Sequence, residues 1–387
     1  MLAVICLSLL MLILVIICFL LFSNNTISKR CGKTLYLVIA VLFAGFSFFF
    51  SPQDFIRWDL LEHFKVINEM RSGGIEYATK GSQYADLFVY NYFAYFISLL
   101  PKCLQNLVST IPLIIDFSIV GYIYKRIYNV HIVEANGKTR VLSVLLWFCT
   151  FGIKLAITDI RCSLAVSLVA VAIYLFVIEK RKKIFAILLS IIAVFVHQFA
   201  VVVIVVGIFS KIKKPGVLLI SSLSIAIFLH PLARFIVNNT SNAYINFSFN
   251  RILKTENYYG FIEAIKNFST SQLLVYLGFI MMSICLYYMS LKAKCGIGEN
   301  NYCKNVINFT NAVGAVAIGL AFNYLYLERF MYLVSFAFLL VVPIYNCGYK
   351  MIRNLNLLML PIAIYVLYFN DIYILMVNYL GYYFLAI

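Results

Sequence analysis

Residues 179–214 read EKRKKIFAILLSIIAVFVHQFAVVVIVVGIFSKIKK, and the topology of the whole chain turns on them. Two basic clusters, Lys180–Lys183 and Lys211/Lys213/Lys214, bracket the stretch 184–210, about 27 residues with His197 near the middle. Roughly 20 apolar residues cross a bilayer as one helix, so a single span would put the two clusters on opposite sides. Cytoplasmic loops of membrane proteins concentrate Lys and Arg. If both clusters obey that rule, the stretch must enter and return. It is then two short helices of about 13 residues meeting near His197. The hairpin is the preferred reading, because a single span inverts everything after Lys214.

Composition sets the solvent. The chain has 387 residues, of which 64% are hydrophobic, 17% aromatic and 12% charged. Soluble domains carry about 45–50% apolar and about 25% charged residues, so a soluble enzyme and a disordered chain are both excluded. The net charge of +16 could suggest nucleic acid, but nucleic-acid binders are charge-rich and this chain is charge-poor. No nucleic-acid partner is expected. What remains is a polytopic all-α integral membrane protein, with the bilayer as its main surroundings.

Apolar runs lie at about 2–22, 34–51, 104–124, 141–158, 162–178, 216–236, 272–291, 306–326, 330–346 and 355–376. With the short helices this predicts about 10–12 membrane helices in one integral membrane domain over 1–387. Residues 1–22 read as a retained first span, since no positive charge leads them and the basic residues follow. With all basic clusters on the cytoplasmic side, residues 52–103 begin and end outside. The Tyr- and Phe-rich stretch 84–100 within them is then an amphipathic or re-entrant helix ended by Pro101, not a span. A second outer segment, 237–271, is polar, and together the two would form a small cap. The cytoplasmic segments then hold 19 basic residues against Glu134, Glu179 and Glu299, which is the whole surplus of +16.

Isolated charges near membrane depth are costly and tend to face a cavity or a partner. This draws attention to Arg57, Asp59, Asp159, Arg161, His197, Glu328 and Arg329, all on the outer side in this topology. Arg57 and Asp59 sit in DFIRWDLLEH, where a helix would put Asp59 and His63 on one face. They read either as an interfacial helix with snorkelling charges or as an anion-binding Arg beside a carboxylate base. Arg161 opens an apolar helix just after Asp159, against the helix dipole. The two read as a surface pair, or Arg161 reads as a phosphate ligand helped by the helix N-terminus. His197 is either satisfied locally or lines a cavity at a helix break. Glu328–Arg329 is placed in a tight outer turn, as an ion pair or as part of the same site. Lys154 and Asp116, within spans, could pair or snorkel. No Walker-type or GxGxxG loop, metal-ligand spacing or serine elbow occurs, so neither a metal nor a cofactor is expected. The ten cysteines include no CxxC pair, and Cys6, Cys18, Cys149, Cys162 and Cys285 read as small core hydrophobes. Guanidinium forks match phosphate oxygens, and several arginines facing one membrane-embedded site suit a diphosphate on a lipid-linked substrate.

The pattern resembles the EpsG/Wzy group of bacterial polysaccharide polymerases. The matching features are Arg57-Trp-Asp59, Ile160-Arg161-Cys-Ser-Leu-Ala165, the basic turn Glu179–Lys183, Phe195-Val-His197-Gln-Phe-Ala200 and Glu328-Arg329-Phe-Met-Tyr332, in order over roughly 30–345. The family often carries a Tyr soon after its Arg-x-Asp, and His63 or Phe64 stands in that neighbourhood here. The resemblance implies a GT-C-type glycosyltransferase at the outer (periplasmic) face of the bacterial cytoplasmic membrane. It would join oligosaccharide units carried on undecaprenyl diphosphate, for O-antigen, capsule or exopolysaccharide, alongside a flippase and a chain-length regulator. In that reading Arg161 and Arg329 bind the donor diphosphate, and Arg57 contacts it or orients the acceptor. Asp59 is the first choice of base, with Glu328 and Asp159 behind it. His197 hydrogen-bonds the diphosphate or orients the base, and His63, Tyr258 and Tyr259 contact sugar. A lipid-linked oligosaccharide flippase and an O-antigen ligase share much of this chemistry and stand as alternatives.

Overall fold

The structure is a computed structural model that describes residues 27–50, 59–82, 87–240, 261–292, 301–346 and 359–368, with a few isolated positions besides. Every regular element among the described residues is helical. In chain order these are α1 (Lys29–Phe49), α2 (Asp59–Glu76), α3 (Phe88–Ser98), α4 (Leu107–Arg126), α5 (Gly137–Thr150), α6 (Ile153–Thr158), α7 (Ile160–Ile173), α8 (Lys183–Val196), α9 (Ala200–Phe209), α10 (Pro215–Asn239), α11 (Phe261–Asn267), α12 (Thr270–Lys292), α13 (Asn301–Leu320) and α14 (Tyr324–Asn346). Residues 359–368 are also helical.

Polar residues start these helices where the orphan N–H groups need acceptors. Asn136 Oδ1 accepts from Thr139 N at 2.8 Å at the head of α5. Asn323 Oδ1 accepts from Tyr326 N at 3.2 Å at the head of α14. Ser269 and Gln272 bond reciprocally at the head of α12, a capping box. Beyond the caps most residues of these helices are apolar, as hydrocarbon surroundings require.

Five of these helical stretches are long and apolar enough to cross a membrane: Lys29–Phe49, Lys102–His131, Ile160–Ile178, Thr270–Lys292 and Tyr324–Ile344. Pro215–Leu229 and Pro231–Asn239 make a sixth if taken together, bent by 47° where Pro231 cannot continue the hydrogen-bond ladder. Outward-facing Ile184, Ile191, Ile220, Phe228 and Phe235 form an apolar belt that water would not tolerate. The chain is an all-α membrane protein. Of the expected runs, most of 2–22 and half or more of 355–376 lie outside the described residues, while 141–158 and 184–210 are short or broken helices. The run 141–158 is divided into α5 and α6 at Gly152, whose φ of 70° is open to glycine and strained for other residues. At 14 residues α5 is buried along almost its whole length.

At the centre, α14 packs on α5, α7 and α13, and α4 packs on α7. Trp147 of α5 anchors this core among Tyr36, Phe117 and Phe151. Gly314 of α13 brings its backbone against Tyr287 of α12 so closely that a Cβ would stand 2.8 Å from the Tyr287 Cα.

The stretch 184–210 is a hairpin. The start of α8 (Ala186, Ile187) and the end of α9 (Gly207, Ile208) line one cavity together with Ile173 of α7. Lys180, Lys183, Lys211 and Lys213 line a second. The two lysine clusters therefore meet, and the chain turns back at His197, which is extended (φ −158°, ψ 133°). At 14 and 10 residues the two helices are roughly 21 and 15 Å long, short of the ~30 Å hydrocarbon core.

The helices alternate between two poles. At one pole the basic loops gather: Lys29 Nζ reaches Val133 O at 3.4 Å, and Asn305 Nδ2 donates to Ile178 O at 2.9 Å. The other pole carries α2, α3, the break at Asp159 and the His197 bend. The described part of the 84–100 stretch holds the 11-residue α3, packed on α2 and α8, in keeping with a helix that does not span.

Candidate functional site

The site is built from four separate pieces of chain. The first is α2, whose apolar face (Leu60, Phe64, Ile67 and Met70) is buried and carries His63 inward with it. The second is the break between α6 and α7, where Asp159 leaves helical geometry (φ −93°, ψ 55°) and α7 starts. The third is the His197 bend. The fourth is the beginning of α14.

Asp159 is 2% exposed, and its Oδ2 lies 2.8 Å from Arg329 Nε. The pairing joins residues 170 positions apart, where the sequence suggested Arg161 for Asp159 and Glu328 for Arg329. The contact is a close ion pair, not an aligned hydrogen bond. Burial by itself raises the Asp159 carboxyl, but the charge of Arg329 above all, with Arg161 behind it, outweighs burial and leaves the group below its ordinary value.

Glu328 and Arg329 are not in a tight turn, which corrects the sequence expectation. The turn lies earlier, and the Asn323 cap starts α14 at Tyr324, so the pair stands on helix. Glu328 is buried and its Oε1 accepts from the Tyr324 hydroxyl at 3.2 Å. The Tyr324 ring is boxed by Phe268 and Tyr276.

Asp59 opens α2 on an exposed position. Surrounding protein desolvates its carboxyl, and the Asp159 carboxylate adds repulsion. Arg329 and Arg161 counter only in part, so its pKa is raised. His63, 1% exposed, is the reverse case. Burial first and the Arg161 charge second push its pKa down to about 3, so the ring is neutral. His63 Nδ1 shares a hydrogen bond of 3.0 Å with the Tyr90 hydroxyl of α3. The Arg161 guanidinium lies 5.7 Å from the centre of the Tyr90 ring, within cation–π range. His197 Nδ1 accepts from Phe199 N at 3.1 Å, which leaves Nε2 to carry the proton in the neutral ring.

Asp59, His63, Arg161, His197 and Arg329 thus all lie within electrostatic reach of Asp159. Arg57, Tyr258 and Tyr259 lie outside the described residues, as does most of the 237–271 segment. Lys154 sits on α6, and Asp116 of α4 is buried facing Ser163 and Ser167 of α7, inside the bundle. Sequence reasoning missed Tyr90 and Tyr324. Tyr90 was marked only as one tyrosine of an interfacial stretch, and its pairing with His63 has no local signature.

Chemically, the cluster offers two guanidinium groups beside carboxylates of opposite character. Asp159 is tied up as a counter-ion. Asp59 is the carboxylate with raised proton affinity, the property a general base needs. Comparison with family models, curated proteins and solved structures gives no match to this chain.

Proposed function

We propose that the chain is a GT-C-type glycosyltransferase, a polysaccharide polymerase that joins oligosaccharide units carried on undecaprenyl diphosphate. The observation that carries this reading is the convergence of Asp59, His63, Asp159, Arg161, His197 and Arg329 from four distant segments onto one pole. The pole opposite holds the basic clusters. By the positive-inside rule that basic pole is cytoplasmic, so the site opens at the outer face of the bacterial cytoplasmic membrane, where lipid-linked units are polymerised. A transporter would spread its charges over both halves and through the depth of the bundle. Their concentration at one end favours an enzyme.

In this mechanism Arg161 and Arg329 hold the donor diphosphate. Arg161 stands in the first turn of α7, where the N–H groups add to the field on an anion. The acceptor hydroxyl attacks the anomeric carbon of the donor sugar as its bond to the diphosphate oxygen breaks. The hydroxyl proton passes to Asp59, and undecaprenyl diphosphate leaves with the bonding electrons, its charge met by the guanidinium groups. Asp159 positions Arg329, and His197 Nε2 donates to the diphosphate or to the base. No metal enters the step.

The test is complementation of a deletion strain, with the surface polysaccharide resolved on a gel. The deletion should lose the ladder of long chains but keep the band with one capped repeat unit. The native gene should restore the ladder, and Arg161→Ala, expressed at the same level, should not. A full ladder from Arg161→Ala would remove the role given to that residue. Loss of the single-unit band in the deletion strain would point to a ligase or flippase instead.

A further inference from the structure

A second feature lies at the opposite pole from the candidate site. The end of α7 and the α8–α9 hairpin form an open cleft of about 320 Å³ with almost entirely apolar walls, including Ile173, Phe176, Ile187, Val194, Ile204 and Ile208. It runs into a second cavity of about 380 Å³, and the two share Phe176, Val177 and Lys211. The second cavity is lined by four lysines, Lys180, Lys183, Lys211 and Lys213, together with Ser210, Asn305 and Asn308. None of its lining residues is acidic.

Glu179, beside Lys180 in the chain, is bonded elsewhere. Its Oε1 takes Arg126 Nη2 at 2.9 Å, His131 Nε2 at 2.9 Å and the Tyr174 hydroxyl at 3.1 Å. The backbone that presents the lysines is strained. Lys180 and Lys182 have φ of 56° and 49°, a region L side chains seldom occupy. Such strain persists only where the surroundings enforce it, and here Arg181 N is bonded back to Leu175 O at 2.7 Å. A bulkless turn residue would have made the same reversal without strain.

We propose that this double cavity binds one anionic phospholipid, with an acyl chain in the apolar cavity and the phosphate among the four lysines. An apolar slot joined to a cationic pocket with no acid among its described lining residues matches the two ends of such a lipid. The ligand is not the reacting diphosphate. The 19 residues of Ile160–Ile178 separate the two places, a distance of roughly 28 Å along the helix. The site therefore stands apart from the proposed chemistry and would fix the re-entrant hairpin that ends at His197.

The experiment uses the purified full-length protein in detergent and native mass spectrometry with added phosphatidylglycerol or phosphatidylethanolamine. The wild type should retain phosphatidylglycerol in preference, less so as salt is raised. The variant Lys180→Gln/Lys183→Gln/Lys211→Gln/Lys213→Gln should lose that retention by roughly tenfold or more, since all four charges that face the phosphate are removed together. Arg181, Lys182 and Lys214 stay in place to hold the orientation. Ile208→Trp, which fills the apolar cavity, should lower retention with all the lysines intact. Should the glutamine variant fail to fold, the same four positions changed to Arg must keep the preference. Equal retention of both lipids by the wild type would overturn the proposal, as would undiminished retention by a folded glutamine variant. Displacement of the lipid by millimolar inorganic phosphate would also overturn it, because the pocket would then be a plain phosphate site.

Discussion

Lowering the pH should destabilise this protein through His63. The ring is 1% exposed, and its pKa falls from 6.5 to about 3 on folding, because burial and the neighbouring Arg161 both oppose a second positive charge. The sign follows from proton counting. Below pH 6.5 the unfolded chain takes up a proton that folded His63 refuses until about pH 3. Acid therefore favours unfolding across that window, and the stability is fully present only above it. From pH 6.5 to 5 the change is about 1.5 pH units at roughly 1.4 kcal/mol each, or about 2 kcal/mol. Asp59 works the other way, since its raised pKa means the folded state takes up a proton more readily as the pH falls. The clean measure is therefore the difference between wild type and His63→Asn, which keeps a polar atom near Tyr90 and cannot titrate. Unfolding midpoints of the two proteins in one detergent, followed by tryptophan fluorescence from pH 7.5 to 5, give that difference. The wild type should lose about 2 kcal/mol more than the variant. Parallel curves would show that folded His63 takes up its proton as readily as the unfolded chain does, and the account of a desolvated, Arg161-flanked ring would be wrong.

Asp159→Asn leaves Arg329 largely buried without its counter-ion, with Arg161 nearby. We expect a loss of about 3 kcal/mol in stability, and a midpoint equal to wild type would count against the pair as a structural clamp. Tyr90→Phe removes the hydroxyl bonded to His63 but keeps the ring beside Arg161. It should cost about 1 kcal/mol, and Tyr90→Ala should cost more. The hairpin can be checked by maleimide labelling of intact cells, with single cysteines introduced into a background stripped of the exposed native ones. Gln198→Cys should be reached from one side, and Lys182→Cys and Lys213→Cys only from the other. Labelling of Lys182→Cys and Lys213→Cys from opposite sides would mean a single span.

Much of the architecture was legible because hydrocarbon leaves the backbone few choices. Apolar runs of sufficient length must be helices, and the basic clusters sort the loops by side. Reading Lys180–Lys183 and Lys211–Lys214 as one side was enough to foresee the hairpin. The same map put Asp159, Arg161, His197 and Arg329 at one end before their contacts were known. What failed was local. The break at Gly152 and the start of α14 at Tyr324 depend on a single φ angle and a single Asn cap, and neither alters the hydrophobic pattern.

The sequence by itself determined that this is an all-α membrane protein, where its basic clusters gather and which isolated charges call for a partner. Only the tertiary structure decided who those partners are. Asp159 pairs with Arg329 across 170 positions, not with its neighbour Arg161. His63 meets Tyr90, and Glu328 meets Tyr324. Charge can be counted along a chain, but the dielectric around it cannot. The burial that makes Asp159 a fixed counter-ion, and the surrounding protein and Asp159 charge that raise the proton affinity of Asp59, arise only in the folded bundle.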